Sequence, residues 1–360
     1  MLHSIFTGYP RFKLGDEQGI PREKIRSFPW LQMPYMARMK FGLRGERLER
    51  EWAWWAHETL DAYASRHLAD SNALIALSGS GLKSGRMMKR KGGIYICDRG
   101  SSHIRYQQEL LREEYQRWGL VFRGVDARIL KKEESEYEEA DGVAVPSEFV
   151  KRSFIEMGVP EEKLHKVPYG IDLKRFQKVA DTSKDEFNVI FVGQGSLRKG
   201  LLYLLDAFRR LRHPRKSLTV IGSLHPEVLQ SLNTQSLDHV KFLGNVSNVK
   251  LPMHYSRAHV FVLPSIEEGF GMVMGEAMAC GCPVIATSNT GARDLFQDGQ
   301  EGFIVPAGDA SQIALKLQVL MEDADLHSRM SQAAASRPRV LRGWDVYGEE
   351  MKAVLHSYRL

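Results

Sequence analysis

The sequence predicts an α/β protein of two Rossmann-like domains facing across a cleft, with a last helix packing back on the first domain. Three observations carry that expectation. A chain of 360 residues exceeds the size at which one hydrophobic core stops growing, so two domains are the default. From Asn72 onward, short β-branched or apolar runs alternate with amphipathic stretches, the pattern of parallel strands joined by crossover helices. A polar, aperiodic stretch over 169–185 then separates two such sets. The expected parts are an N-terminal domain over 1–170, a C-terminal domain over 171–343 and a closing helix over 344–360.

The opening residues are the least regular. Residues 43–70 combine Glu, Arg and Ala with Trp52, Trp54 and Trp55 in what reads as a long helix, and such a cluster suits either core packing or a membrane interface. The basic run Lys83, Arg86, Lys89, Arg90 and Lys91 suits either a solvated helix face or an anionic surface. The candidate strands of the first domain are 74–77, 94–98, 142–145 and 164–168, with helices over 106–118 and 147–157. Ser147, ahead of Phe149, Phe154 and Met157, reads as a capped helix start. In the second domain FNVIFVG (187–193), SLTVIGS (217–223), VKFLG (240–244), HVFVLPS (259–265), PVIATS (283–288) and GFIVPAG (302–308) supply six strands, enough for a complete Rossmann-like unit.

Composition narrows the partners. The apolar and charged fractions, 43% and 26%, are those of an ordinary globular protein, and no apolar run approaches the roughly 20 residues that span a bilayer. The start, MLHSIFTGYP, lacks the basic head and long apolar centre of a secretory signal, so a cytoplasmic location is expected, with the inner face of the membrane as a secondary reading. The formal charge of +6 suits nucleotide diphosphates or acidic lipid surfaces and does not call for nucleic acid. Cys97, Cys280 and Cys282 have no metal-ligand spacing and read as buried thiols.

The stretch PSIEEGFGMVMGEAMACGCP (264–283) follows a buried strand and opens a helix that Gly281 and Pro283 close. Gly269 and Gly271 let the backbone pass close to a ligand, and the amides over 269–272 lie at a helix N-terminus, where free N–H groups and the macrodipole favour a diphosphate. Glu268 precedes the turn and Glu276 lies further along the helix. Carboxylates accept hydrogen bonds from sugar and ribose hydroxyls, so acids flanking an anion site suit a ligand with phosphates in the middle and hydroxyls at both ends. The plain alternative is an acid stabilising a helix start plus a solvent-facing Glu276.

This string resembles the E-x7-E signature of family 4 glycosyltransferases, which share the two-domain GT-B fold. Residues 191–208, 145–176 and 291–309 resemble the family's first donor-domain loop, interdomain approach and closing strand. The resemblance implies a retaining, metal-independent and cofactor-free transfer of a hexosyl group from a nucleotide-diphospho-sugar to a glycan, lipid-linked or small-molecule acceptor. It implies that Glu276 accepts from ribose, that Glu268 contacts the transferred sugar, that Gly269, Phe270, Gly271 and Met272 lie beside sugar and phosphate, and that Lys199 contacts the diphosphate. Gly193 and Gln194 open the first donor loop; many members carry Arg at the second of these positions, and Arg198 could supply that guanidinium from elsewhere. In the N-terminal half ICDRGSSH (96–103) occupies the place of a loop that carries the family's catalytic-region histidine, which makes His103 the candidate.

The same resemblance implies that the first domain opens with a strand, a Gly-rich loop and a helix, whereas LHSIFTGYP resembles the second strand region. On the order of 30 residues of a βαβ half are therefore expected to be missing, through a late start, a shortened chain or a degenerate member. The last case leaves a nucleotide-sugar-binding module without activity as a rival, beside a GT-B sugar-nucleotide epimerase.

Overall fold

Short apolar runs form strands and the amphipathic stretches between them cross over, which builds two parallel sheets one after the other. The computed structural model describes residues 2–14, 19–38, 45–68, 71–232, 237–337 and 343–358. The chain opens with β1 (Ile5–Thr7) and β2 (Ile25–Ser27), paired in parallel as a small sheet of their own, followed by α1 (Gln32–Ala37) and α2 (Glu46–Arg66).

The first larger sheet has the order β3 (Ala73–Leu77), β4 (Ile94–Asp98), β5 (Gly142–Val145), β6 (Leu164–Lys166), all parallel. Its crossovers are α3 (Leu82–Arg90), α4 (Ile104–Arg117), α5 (Ala127–Glu139) and α6 (Glu148–Glu156). Side chains on β4 alternate between two cores, as the period of a strand requires. Tyr95 and Cys97 pack with Tyr137, Phe149 and Phe154 of the crossover helices. Ile96, with Ala144 and Val167, meets Met351 of the last helix instead. The expected cap on α6 forms, with Ser147 Oγ accepting from the Val150 amide at 3.2 Å. Helix α5 is additional to the helices expected, because its charge-rich sequence hides a sparse apolar face that includes Tyr137.

The second sheet contains all six expected strands: β7 (Phe187–Val192), β8 (Lys216–Ile221), β9 (Val240–Gly244), β10 (Val260–Leu263), β11 (Val284–Thr287) and β12 (Gly302–Val305). They lie in the order β9-β8-β7-β10-β11-β12, so the winding reverses between β7 and β10. Helices α7 (Leu201–Arg210), α8 (Pro226–Leu232) and α12 (Ala310–Glu322) bury apolar side chains on one face. On the other lie α9 (Leu251–Arg257), α10 (Met272–Ala279), α11 (Ala292–Leu295) and α13 (Ala324–Ser336).

The chain then returns to the first domain through α14 (Trp344–Ser357), and Tyr358 anchors it there by donating to the Asp141 carbonyl at 3.1 Å and bonding His165 Nε2 at 2.7 Å. The closing helix is thus as expected, with residues 359–360 outside the described residues. The expected linker contains no helix or strand, but it is less polar in its contacts than its composition suggests: Ile171 and Phe176 are buried in the second domain's core. Outgoing and returning chain touch at Gly170, where a Cβ would lie 2.4 Å from the Trp344 amide nitrogen and 2.5 Å from the Gly343 carbonyl carbon. The two crossings therefore share one narrow seam.

Two surface segments take definite places. The basic run is largely neutralised by the protein's own acids: Lys83 pairs with Glu58 at 2.7 Å, Arg86 with Glu139 at 2.5 Å and Lys89 with Asp141 at 3.0 Å. Of the tryptophans, Trp54 stands under the Arg128 guanidinium at 5.0 Å, and only Trp55 is exposed. Among the described residues no helix is long and apolar enough to cross a membrane. The three cysteines are buried, as expected. Because only a hydrogen fits between the two crossings, Gly170→Ala is expected to lower stability by about 1–3 kcal/mol, read as a lower urea midpoint; an unchanged midpoint would remove the seam contact from the description.

Candidate functional site

Strands that wind in opposite directions leave a crevice at their carboxyl ends, and here β7 and β10 flank it. The loop over 193–200 leaves β7 and the loop over 264–271 leaves β10, so the two segments singled out from the sequence meet at the crevice. Gly200 allows this meeting. It has φ +67°, and a Cβ there would lie 1.9 Å from the Pro264 carbonyl oxygen, so a side chain would push the loops apart. The Arg198 carbonyl accepts from the Ile266 amide at 2.9 Å, and the Asn289 carbonyl accepts from the Glu268 amide at 3.0 Å.

At this junction Lys199 and Glu268 form an ion pair, with side chains only 15% and 14% exposed. Burial, with the neighbouring Arg198 charge, pulls the Lys199 ammonium below its ordinary value, while Glu267 opposes the shift. Helix α10 starts beside them. Its N-cap, Gly271, sits at φ +81°, a left-handed conformation that favours glycine. The Met274 amide donates to the Gly271 carbonyl at 2.9 Å, and the amides that precede it open the helix ahead of any intrahelical acceptor, which makes this end a place for negative charge. Met272, the first helical residue, is 40% exposed. Further along, Glu276 accepts from Tyr255 Oη at 3.3 Å; burial raises its pKa to about 7, against the pull of Tyr255 and Arg175.

Several expected contacts are placed differently. Gly269 makes its close approach to the first domain, since a Cβ there would lie 1.8 Å from the Gly100 carbonyl oxygen, and its own carbonyl accepts from Ser147 Oγ at 2.5 Å. Phe270 is buried against Tyr169, with ring centroids 5.7 Å apart, and its carbonyl accepts from the Gly291 amide. Gly193, at φ +150°, and the exposed Gln194 open the first loop. Arg198 turns its Nη1 to Glu267, donating to the carboxylate at 3.0 Å and the carbonyl at 3.2 Å, so that part of its guanidinium is engaged within the protein. His103 caps α4: Nδ1 accepts from the Arg105 amide at 3.3 Å while the ring lies 5.0 Å from both Tyr137 and Phe154. Burial lowers its pKa to about 4, so the ring is neutral and packed within its own domain.

The sequence reading missed Glu267. Its side chain is fully buried and accepts from four groups, the Ser102 amide at 2.9 Å, Ser102 Oγ at 2.8 Å, Gln107 Nε2 at 2.8 Å and Arg198. Burial would raise its pKa, but Arg198 and the Ser102 and Gln107 bonds outweigh that and hold the carboxyl below its ordinary value. The doubled acid in EEGFG was the available signal; a fully buried charge facing the other domain leaves no further trace in the sequence.

Residues 173–337 match the family described as Glycosyl transferases group 1. The chain is 33% identical over 173 residues to a phosphatidyl-myo-inositol mannosyltransferase of Mycobacterium leprae, covering 47% of this chain and 46% of that protein. It is 31% identical over 206 residues to the capsular polysaccharide biosynthesis glycosyltransferase CapM of Staphylococcus aureus, covering 52% and 53%. The chain thus spans about half the length of these curated relatives. Among solved structures, sucrose-phosphate synthase from Thermosynechococcus elongatus superposes with a TM-score of 0.67 at 24% identity, over 94% of this chain and 80% of that one. Anabaena Alr3699/HepE, solved in complex with UDP, gives 0.65 at 20% identity, over 83% and 82%. Residues 173–337, which hold both crevice loops, are therefore similar to group 1 glycosyl transferases, and the fold around them is the two-domain GT-B arrangement.

Proposed function

We propose that this protein is a retaining glycosyltransferase that moves a hexosyl group from a nucleotide-diphospho-sugar to a hydroxyl acceptor, without a divalent metal. The observation that carries this reading is the Lys199–Glu268 pair beside the N-terminus of α10, at the crevice where the strand order reverses. A diphosphate on that helix end would share the Lys199 ammonium, and Glu268 would accept from a hydroxyl of the transferred sugar. Glu276, on the same helix, would accept from the ribose hydroxyls. The acceptor hydroxyl attacks the anomeric carbon as the bond to the diphosphate oxygen breaks, its proton passes to that departing oxygen, and the nucleotide diphosphate leaves with its growing charge balanced by Lys199. The curated relatives' names, a mannosyltransferase and a capsule-synthesis enzyme, support a glycan or lipid-linked acceptor, and the UDP-bound relative supports a nucleotide donor.

Incubation with labelled UDP- and GDP-sugars in the presence of a chelator and candidate acceptors should release nucleotide diphosphate. Tight nucleotide binding with no turnover on any member of the panel would instead establish a binding module. Lys199→Ala should lower kcat about 10²- to 10³-fold, whereas Lys241→Ala, on the surface, should leave it unchanged; equal effects would count against the phosphate role.

Glu276→Ala should weaken nucleotide binding about 10- to 100-fold, the loss expected when hydrogen bonds to a charged group are removed. Burial pushes the Glu276 carboxyl up to about 7, and only its ionised form accepts with both oxygens; the Lys199 ammonium, lowered to about 7, loses its charge over the same range, so the Glu276 contribution is read as the ratio of wild-type to Glu276→Gln affinity, which should rise from pH 6 to pH 8. Both proteins are measured by isothermal titration calorimetry, and a ratio that stays constant over that range would take Glu276 out of the site.

A further inference from the structure

The donor loops are wired to the opposite domain through one buried carboxylate. Glu267 stands between Arg198 on the β7 loop and Ser102 and Gln107 on the first domain, and it immediately precedes Glu268, as Arg198 immediately precedes Lys199. Its first-domain partners are themselves held. Arg99 Nε donates to the Ser102 carbonyl at 3.1 Å and Arg99 Nη2 to Gln107 Oε1 at 3.3 Å, which turns the Gln107 amide so that its N–H faces Glu267. Arg99 is fixed in turn by Glu133 at 2.6 Å. A line of alternating charges, Glu133, Arg99, Glu267, Arg198, thus runs across the boundary between the domains.

We infer that Glu267 is a positioning residue that latches the two domains together over the donor loops, so that closure of the cleft sets Arg198, Lys199 and Glu268 in place. This rests on the glycosyl-transfer reading for its catalytic consequence, not for the latch itself. Covalent connection between the domains runs through the seam at Gly170 and Gly343, so the cleft side must be held by noncovalent contacts. Others, such as Lys166 with Asp294 at 2.8 Å, leave the cation 39% exposed, so that it can take water in exchange for its partner. Glu267 cannot. Parting the domains strips three of its four donors, and a buried carboxylate left with too few is strongly unfavourable, so this group favours a closed cleft over a half-open one.

The test uses the full chain and Glu267→Gln, which keeps size and one acceptor oxygen but loses the charge. Hydrogen exchange at the Ser102 amide, which donates straight to Glu267, should quicken at least tenfold while Val262 in the core of β10 keeps its wild-type rate. A Ser102→Ala, Gln107→Leu variant should reproduce the effect from the other domain, read as faster exchange at the Glu268 amide, and keeps the idea testable if the first variant does not fold. In turnover, both variants should bind UDP or GDP within about threefold of wild type yet lose kcat at least tenfold. Unchanged exchange at Ser102, equal acceleration at Ser102 and Val262, or an unchanged kcat would overturn the latch. Exchange does not depend on turnover, so a wild-type protein that transfers no sugar would sink the functional reading while leaving the latch to be judged on exchange alone.

Discussion

The contact between Gly200 and the Pro264 carbonyl is the constraint on which the site depends. Two loops that leave neighbouring strands in a reversed winding order would normally diverge around the crevice. Removing a side chain at that one position lets them close to backbone contact, and the closure brings Lys199 against Glu268 and sets both beside the helix end that follows Gly271. The charges then sit in a setting with little water, where each is worth more than it would be at the surface. A positive group, a negative group and a row of amide donors at one place can hold a ligand that carries both anionic and hydroxyl groups.

The glycines of EGFG do different work from each other. Gly271 supplies the left-handed turn that starts α10, a requirement of the backbone alone. Gly269 is small because Gly100 of the other domain lies on top of it, a requirement of the assembled cleft. Phe270 between them turns inward to pack on Tyr169, next to the seam where the chain crosses between domains. The motif is therefore partly a helix start and partly a joint, and its conformation is tied to the relation of the two domains.

Burial pushes both acids around this joint up, and their neighbours decide the outcome. Glu267, surrounded by donors and beside a guanidinium, stays ionised despite having no exposure. Glu276, with a tyrosine hydroxyl as its hydrogen-bond donor, is pushed up to about 7. The first is held by contacts already complete within the protein, so its role is structural order across the cleft. The second retains acceptor capacity, as a group that meets a hydroxylated ligand should.

Much of the fold was legible in the chain because strands and crossover helices follow local periodicity. All six strands of the second domain, the Ser147 cap and the returning helix were readable from spacing alone, and the motif segments were placed correctly at strand ends. Helix α5 was not, since a charge-rich sequence shows little period when few of its side chains face the core. The partners of the long side chains were also hidden. His103 became a cap packed between two rings, Arg198 turned to a neighbouring acid, and the basic run met Glu58, Glu139 and Asp141, each by contacts between residues far apart in the chain. By itself the sequence determined the order of elements and the residue types available at the crevice, because backbone propensity and apolar period act over a few residues. Only the tertiary structure decided which of those charges stays at the crevice and which, like Glu267, is consumed between the domains, because that choice depends on what the opposite domain presents.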